Sequence, residues 1–150
     1  MEFLLREARE SDMEAVLGLI QELADYEKEP DAVINTVEQL TQDGFGPNKI
    51  FDCSVVEIDS EIVGFYLTYI SYSTWKGRCL YLEDFYLKPE FRRYGIGKIM
   101  FDEIVEKAKK SGVKRMDWQV LEWNEPAINF YEKYGAHLDK EWYNGRLFFE

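Results

Sequence analysis

The sequence predicts a mixed α/β fold, a central and mostly antiparallel sheet flanked by helices. Three observations carry this. Apolar residues alternate between the two-residue period of strands and the three-to-four-residue period of helices along the chain. Two strand-like runs, Phe51 to Ile58 and Ile62 to Tyr72, are joined by a short polar turn near Asp59-Ser60, the pattern of a hairpin. The second half alternates strand, helix, strand, helix. The resulting order is β-α-α-β-β-β-α-β-α-β-β, a layered α/β arrangement.

Each element has its own justification. Phe3 to Ala8 reads as the first strand. Ser11-Asp12-Met13-Glu14 has the form of a capping box, and Met13, Val16, Leu17, Ile20, Leu23 and Ala24 follow at helical spacing to about Tyr26. Thr36 opens a second short helix that stops at Gly44, within the turn cluster Gly44-Phe45-Gly46-Pro47. After the hairpin, Arg78 to Leu87 is apolar almost throughout, which predicts a strand buried on both faces. Gly95 to Lys110 places Ile96, Ile99, Met100, Ile104 and Ala108 on one helical side, with Gly112 as the stop. Arg115 to Leu121 is a strand. Asn124 caps a helix with Pro126 in its first turn and Gly135 at its end. Leu138 to Trp142 and Arg146 to Phe149 are expected to close a last hairpin around Tyr143-Asn144-Gly145.

Composition narrows the function. The chain has 150 residues and reads as one domain over 1–150. A chain of that size buries roughly 70% of its unfolded surface. With 29 acidic against 18 basic residues the net charge is −11. This opposes binding to nucleic acid and to anionic membranes, and it favours a cationic small partner. His137 is the single histidine, so a multi-His zinc site and a recognisable His-based triad are excluded, and no metal site is expected. Cys53 and Cys79 lack CxxC spacing. No signal-peptide core or membrane-length apolar run is present. A cytoplasmic protein is expected.

The most informative segment is Arg92-Arg93-Tyr94-Gly95-Ile96-Gly97-Lys98, between a strand and a helix. Glycines there permit close backbone approach and positive φ. Helix N–H groups and the helix dipole favour an anion. Lys88, Arg92, Arg93 and Lys98 gather positive charge in an acidic chain. The Walker pattern fails, because Arg92 stands at its first glycine and Ile99 at its Ser/Thr. The dinucleotide-fold pattern fails at Met100. The glycines alone fit a plain strand-to-helix turn equally well. Together with the arginines and the strand–helix context they favour a pyrophosphate site.

Arg92-Arg93-Tyr94-Gly95-Ile96-Gly97 resembles the R/Q-x-x-G-x-G/A acetyl-CoA signature of the GNAT superfamily of N-acetyltransferases, and the element order matches that fold. Tyr26-Glu27, Asp43-Gly44-Phe45-Gly46, Tyr72 to Arg78, Tyr81-Leu82-Glu83-Asp84 and Trp123-Asn124-Glu125-Pro126 are similar to its diamine acetyltransferase branch, which holds the spermidine/spermine and thialysine enzymes. The resemblance covers nearly the whole chain. It implies a sheet with a β-bulge and splayed strands, an acetyl-CoA co-substrate contacted by Phe85, Tyr86, Leu87, Arg92 to Lys98 (including Tyr94 and Ile96), Asn124, Pro126, Ala127 and Tyr131, and a homodimer.

The chemistry sets what the site must supply. An amine arrives protonated, with a pKa of about 10, and only its neutral form attacks a thioester. A carboxylate that attracts the cation and takes its proton is needed. Glu83 and Asp84 interrupt an apolar strand, where charges are costly unless paired or functional. Neighbours in a regular strand face opposite ways, so both line one site only if the strand bulges. By resemblance, Glu83 relays the proton through water and Asp84 helps hold the ammonium; an ion pair with Arg78 is the structural alternative. A bulge also frees a backbone donor for the oxyanion, placed at Phe85. Tyr131 matches the family's general acid. Tyr26, Glu27 and Trp75 form an acidic, aromatic wall for the amine. Ser73-Thr74 stand where polyamine-specific relatives carry an acid, and Trp142-Tyr143 stand where those relatives carry another. The expected substrate is therefore a small cationic amine, a diamine, polyamine or thialysine/lysine-like amine, with short diamines and lysine-like amines favoured over spermine. Two alternatives remain: a protein-lysine acetyltransferase, and a CoA-binding sensor without chemistry.

Overall fold

The computed structural model describes residues 1–149, which divide into two compact units, one ending at Gln119 and the other beginning at Val120. The first unit carries the sheet. Strands β1 (Leu4–Glu7), β2 (Asp52–Ile58), β3 (Glu61–Ser73), β4 (Gly77–Leu87) and β5 (Arg115–Asp117) lie side by side in chain order. The first four are antiparallel to their neighbours, and β5 runs parallel to β4. Helices α1 (Met13–Tyr26) and α2 (Val37–Phe45) follow β1, and α3 (Ile96–Lys110) makes the crossover from β4 to β5.

Strand alternation sorts the helices onto faces. Phe65 and Leu67 point into a core with Met13, Val16 and Leu19 of α1, Leu40 of α2, and Phe51, Val55 and Tyr86. Tyr66, one residue on, faces α3. Its hydroxyl donates to Glu103 Oε1 at 2.8 Å and accepts from Lys107 Nζ at 2.6 Å. On α3, Ile96, Met100, Phe101 and Ile104 are buried.

Local chemistry explains most boundaries. Thr36 caps α2 by accepting from the Gln39 N–H at 3.1 Å. Asp59 and Ser60 both take positive φ, 50° and 66°, and form the two-residue turn that matches strand twist. Gly112, at φ 76°, ends α3. The predicted cap at Ser11 is displaced: a 3-10 turn spans Glu10–Asp12, and Asp12 accepts from the Arg9 N–H at 2.8 Å. Asp12 does so because Arg6 already holds it, through Nη1 at 2.8 Å and Nη2 at 3.1 Å. β5 stops at Asp117, short of the expected Leu121.

The second unit holds α4 (Glu125–Glu132), capped as expected by Asn124, whose Oδ1 accepts from the Ala127 N–H at 3.4 Å. The expected last hairpin is not formed: among the described residues from 138 to 149 there is no strand. Asp139 accepts from the Glu141 N–H at 2.8 Å and from Trp142 Nε1 at 3.0 Å, so its side chain turns the backbone on itself. No helix among the described residues is long and apolar enough to cross a membrane.

Candidate active site

The β3–β4 ladder holds the feature on which the site depends. Leu67 pairs with Asp84 and Thr68 with Leu82, so Glu83 is the extra residue of a β-bulge. Asp84 stands opposite Leu67, on the α1 side of the sheet. Glu83 accepts a long 3.4 Å contact from the hydroxyl of Tyr69, which also packs against the α1-side core. The bulge thus sets two consecutive carboxylates on one face, which a regular strand would separate.

Glu27, just past the last turn of α1, joins them. The helix ends in a Schellman motif: Lys28 takes φ 65°, its N–H donates to Asp25 O at 3.1 Å, and the Glu29 N–H donates to Ala24 O at 2.9 Å. This fixes where Tyr26 and Glu27 leave the helix. Burial and the nearby Glu83 charge raise the pKa of Glu27. Burial, followed by the charges of Glu83 and Glu27, pushes Asp84 up to about 7. A cation brought to this cluster would lower both values.

An aromatic pair lies beside the carboxylates. Tyr69 and Tyr81 stack at 5.2 Å with 26° between their planes. Burial and the Glu83 charge hold the Tyr69 hydroxyl up to about 12, so it stays a donor. Sequence reading passed over both tyrosines. Tyr81 was legible, two residues before Glu83 on the same strand face. Tyr69 was not, because it depends on the register of β3 against β4. Trp75 lies at the far end of that hairpin, exposed, in a turn where Ser73 Oγ accepts from the N–H groups of Trp75 and Lys76.

At its other end β4 leads into the anion loop. The Phe85 ring packs 5.7 Å from Phe101 of α3, Tyr86 is buried, and its hydroxyl donates to Glu22 Oε1 at 3.1 Å. The carbonyl of Leu87 accepts from Arg92 Nε at 2.8 Å. Lys88 pairs with Glu22 at 3.2 Å. Positive φ falls at Arg93 (71°) and Gly95 (82°), not at Gly97, which is helical. Gly95 caps α3, Tyr94 is exposed and Ile96 is buried beneath. A Cβ on Gly95 or Gly97 would meet nothing within 4 Å. The protein's own packing therefore does not demand a glycine at 97. Lys98 pairs with Asp102 at 2.8 Å, which offsets part of the charge gathered here.

The β4–β5 ladder has three pairs and ends at Tyr81 and Asp117. In the second unit, Pro126 sits in the first turn of α4 and the half-buried Tyr131 meets the Phe130 ring edge-on at 5.6 Å.

Comparison with known proteins identifies the family and the fold. The acetyltransferase (GNAT) family model matches residues 6–136. The thialysine N-epsilon-acetyltransferase of Bos taurus is 44% identical over 141 residues, 89% of this chain and 83% of that protein. An L-ornithine N5-acetyltransferase of Arabidopsis thaliana is 37% identical over 111 residues, 74% of this chain and 46% of that protein. Among solved structures, an aminoglycoside N-acetyltransferase in complex with CoA superposes with a TM-score of 0.76 at 16% identity, covering 97% of this chain and 95% of that one. A 36% identical relative in Homo sapiens is a spermidine/spermine N(1)-acetyltransferase-like protein, of which the match covers 20%. The chain belongs to the acetyltransferase (GNAT) family and is an acyltransferase of the N-acetyltransferase class.

Proposed function

We propose that the protein transfers an acetyl group from acetyl-CoA to the primary amine of a small cationic substrate, a lysine-like amine or short diamine, by direct attack. The observation that carries this reading is the bulge at Glu83, which gathers Glu83 and Asp84 on the face that Glu27 and Tyr69 share. A cluster of carboxylates beside stacked aromatic rings suits a flexible ammonium ion. The 44% identity to a thialysine enzyme supports the lysine-like choice.

The residues present fit the co-substrate. Gly95 at positive φ, the first turn of α3 and the open space above Gly97 form a cradle for phosphate. Arg92, Arg93 and Lys98 add charge, and Tyr86 and Leu87 lead the strand towards it. Acetyl-CoA supplies an activated acyl group on a thiol that leaves readily. The chain's own groups do the rest. Glu27 and Asp84 hold the ammonium, and Glu83 accepts its proton through water. The N–H of Phe85 is our candidate to hold the charge that develops on the acyl oxygen. Asn124 caps α4 and, with Pro126 and Ala127, presents Tyr131, the proposed proton donor to the departing sulfur. We take the two compact units to act as one acetyltransferase domain, since the family match spans both.

The test is thiol release from acetyl-CoA with putrescine, spermidine, spermine, thialysine, lysine and a lysine peptide in turn. Wild type is compared with Glu83→Gln and Tyr131→Phe. Turnover on a small amine, reduced on the order of 10²-fold or more in either variant, is expected. Turnover on the peptide alone would instead support a protein-lysine acetyltransferase. Tight CoA binding without turnover on any substrate would support a sensing module.

A further inference from the structure

Arg92 opens the anion loop, and charge alone would make it a phosphate ligand. Its surroundings assign it more. The guanidinium edge is bonded through Nε to the Leu87 carbonyl at 2.8 Å. Its flat group lies 5.4 Å from the centroid of Tyr86, on β4, and 6.0 Å from that of Tyr26, in the last turn of α1. One helical turn earlier a second tie joins the same elements: Tyr86 to Glu22, and Glu22 to Lys88. Only a planar fork bonds at its edge while its faces meet aromatic rings; an ammonium does one or the other.

We infer that Arg92 is a positioning residue that fastens the amine-side end of α1 to the cofactor-side end of β4, so that the state of the loop is transmitted to Tyr26 and Glu27. The proposal rests on the acetyltransfer reading for its kinetic consequence, though not for the tie itself. Glu27 follows Tyr26 directly and belongs to the acidic cluster. A shift of Arg92 when the loop closes on phosphate therefore moves one wall of the amine site. The binding of the two substrates becomes coupled through the protein, in addition to their meeting at the reacting atoms.

Two measurements on the full chain test this. The first is amide hydrogen exchange at Glu27 and Glu29, whose N–H groups bond to Leu23 and Ala24, with and without CoA. In wild type, CoA should slow exchange there. In Arg92→Lys, exchange should be several-fold faster and insensitive to CoA. The second is steady-state kinetics. At saturating acetyl-CoA, Arg92→Lys should raise the amine KM several-fold, and Tyr26→Leu should do the same. The double variant should be no worse than the weaker-binding single, as expected for two residues in one contact. A change confined to the cofactor KM, with wild-type exchange at Glu27 and Glu29, would overturn the proposal, as would additive effects in the double variant. If wild type turns over no amine, the acetyltransfer reading fails and exchange alone decides the tie. If Arg92→Lys does not fold, Tyr26→Leu carries both measurements.

Discussion

A carboxyl set beside two others and half out of water keeps its proton longer, and Asp84 shows the consequence. Its ordinary value of 3.8 rises to about 7, through burial first and the Glu83 and Glu27 charges second. The folded state thus binds this proton more tightly than the unfolded chain, so Asp84 makes stability fall as pH rises from about 4 to 7. Asp84→Asn removes that cost. In urea denaturation the variant should gain about 1–3 kcal/mol over wild type at pH 8 and close to nothing at pH 4. A loss at pH 8 would show that the ionised carboxylate is paired in the free protein. Asp84→Asn should also weaken amine binding, and the stability gain separates that loss from misfolding. The candidacy of Glu83 and Asp84 was legible, because two charges interrupt an apolar run. That they share a face was not: alternation separates them, and only the β3–β4 register shows the bulge.

At the scale of elements, two short structures hold the site's supports in place. Asp12 is buried and ties β1 to the start of α1 through both Arg6 bonds and the Arg9 N–H. Asp12→Ala leaves the Arg6 guanidinium with Glu57 as its one carboxylate partner, beside the Glu7 carbonyl, and should cost about 3 kcal/mol in chemical denaturation. The anion loop gives the opposite kind of test. Gly97→Ala should raise helix stability by about 0.5–1 kcal/mol, since nothing in the fold meets the new methyl. CoA affinity by calorimetry should nonetheless fall, because that methyl occupies the cradle. Gly95→Ala, at φ 82°, should cost about 1–2 kcal/mol from backbone strain alone. Unchanged CoA affinity in Gly97→Ala would move the phosphate site elsewhere. Boundaries were read best where one residue decides them, as at Thr36, Gly112 and Asn124. Ser11 was misread because it falls inside a 3-10 turn, where Asp12, held by Arg6, accepts the Arg9 N–H. The end of α1 was placed near Tyr26 without its reason, since Lys28 stands where glycine is usual. The last hairpin was expected around Tyr143-Asn144-Gly145, a reading that did not weigh the turn that Asp139 makes.

Over the whole molecule, a net charge of −11 surrounds the proposed amine site with negative potential. Salt shortens its reach, from a Debye length of about 30 Å at 0.01 M to about 8 Å at 0.15 M. The KM of a cationic amine should therefore rise several-fold across that range, measured by initial rates at saturating acetyl-CoA. A salt-independent KM would mean that only the local carboxylates act. The mixed α/β class was legible from periodicity, and the family from motifs spread along the chain. The division at residue 119 was not, because no linker composition marks it.

The order of the strands has one more consequence. Their positions across the sheet repeat their positions along the chain, from β1 to β5. As the polypeptide leaves the ribosome, each new strand finds its one earlier neighbour already made. The sheet can therefore grow from one side during synthesis, and no formed pair must reopen to admit a later strand. Two closures cost most: β2 returns to β1 across α1 and α2, and β5 returns to its parallel partner β4 across all of α3. The helix that presents the proposed phosphate cradle is thus among the last parts of this unit to be locked in place.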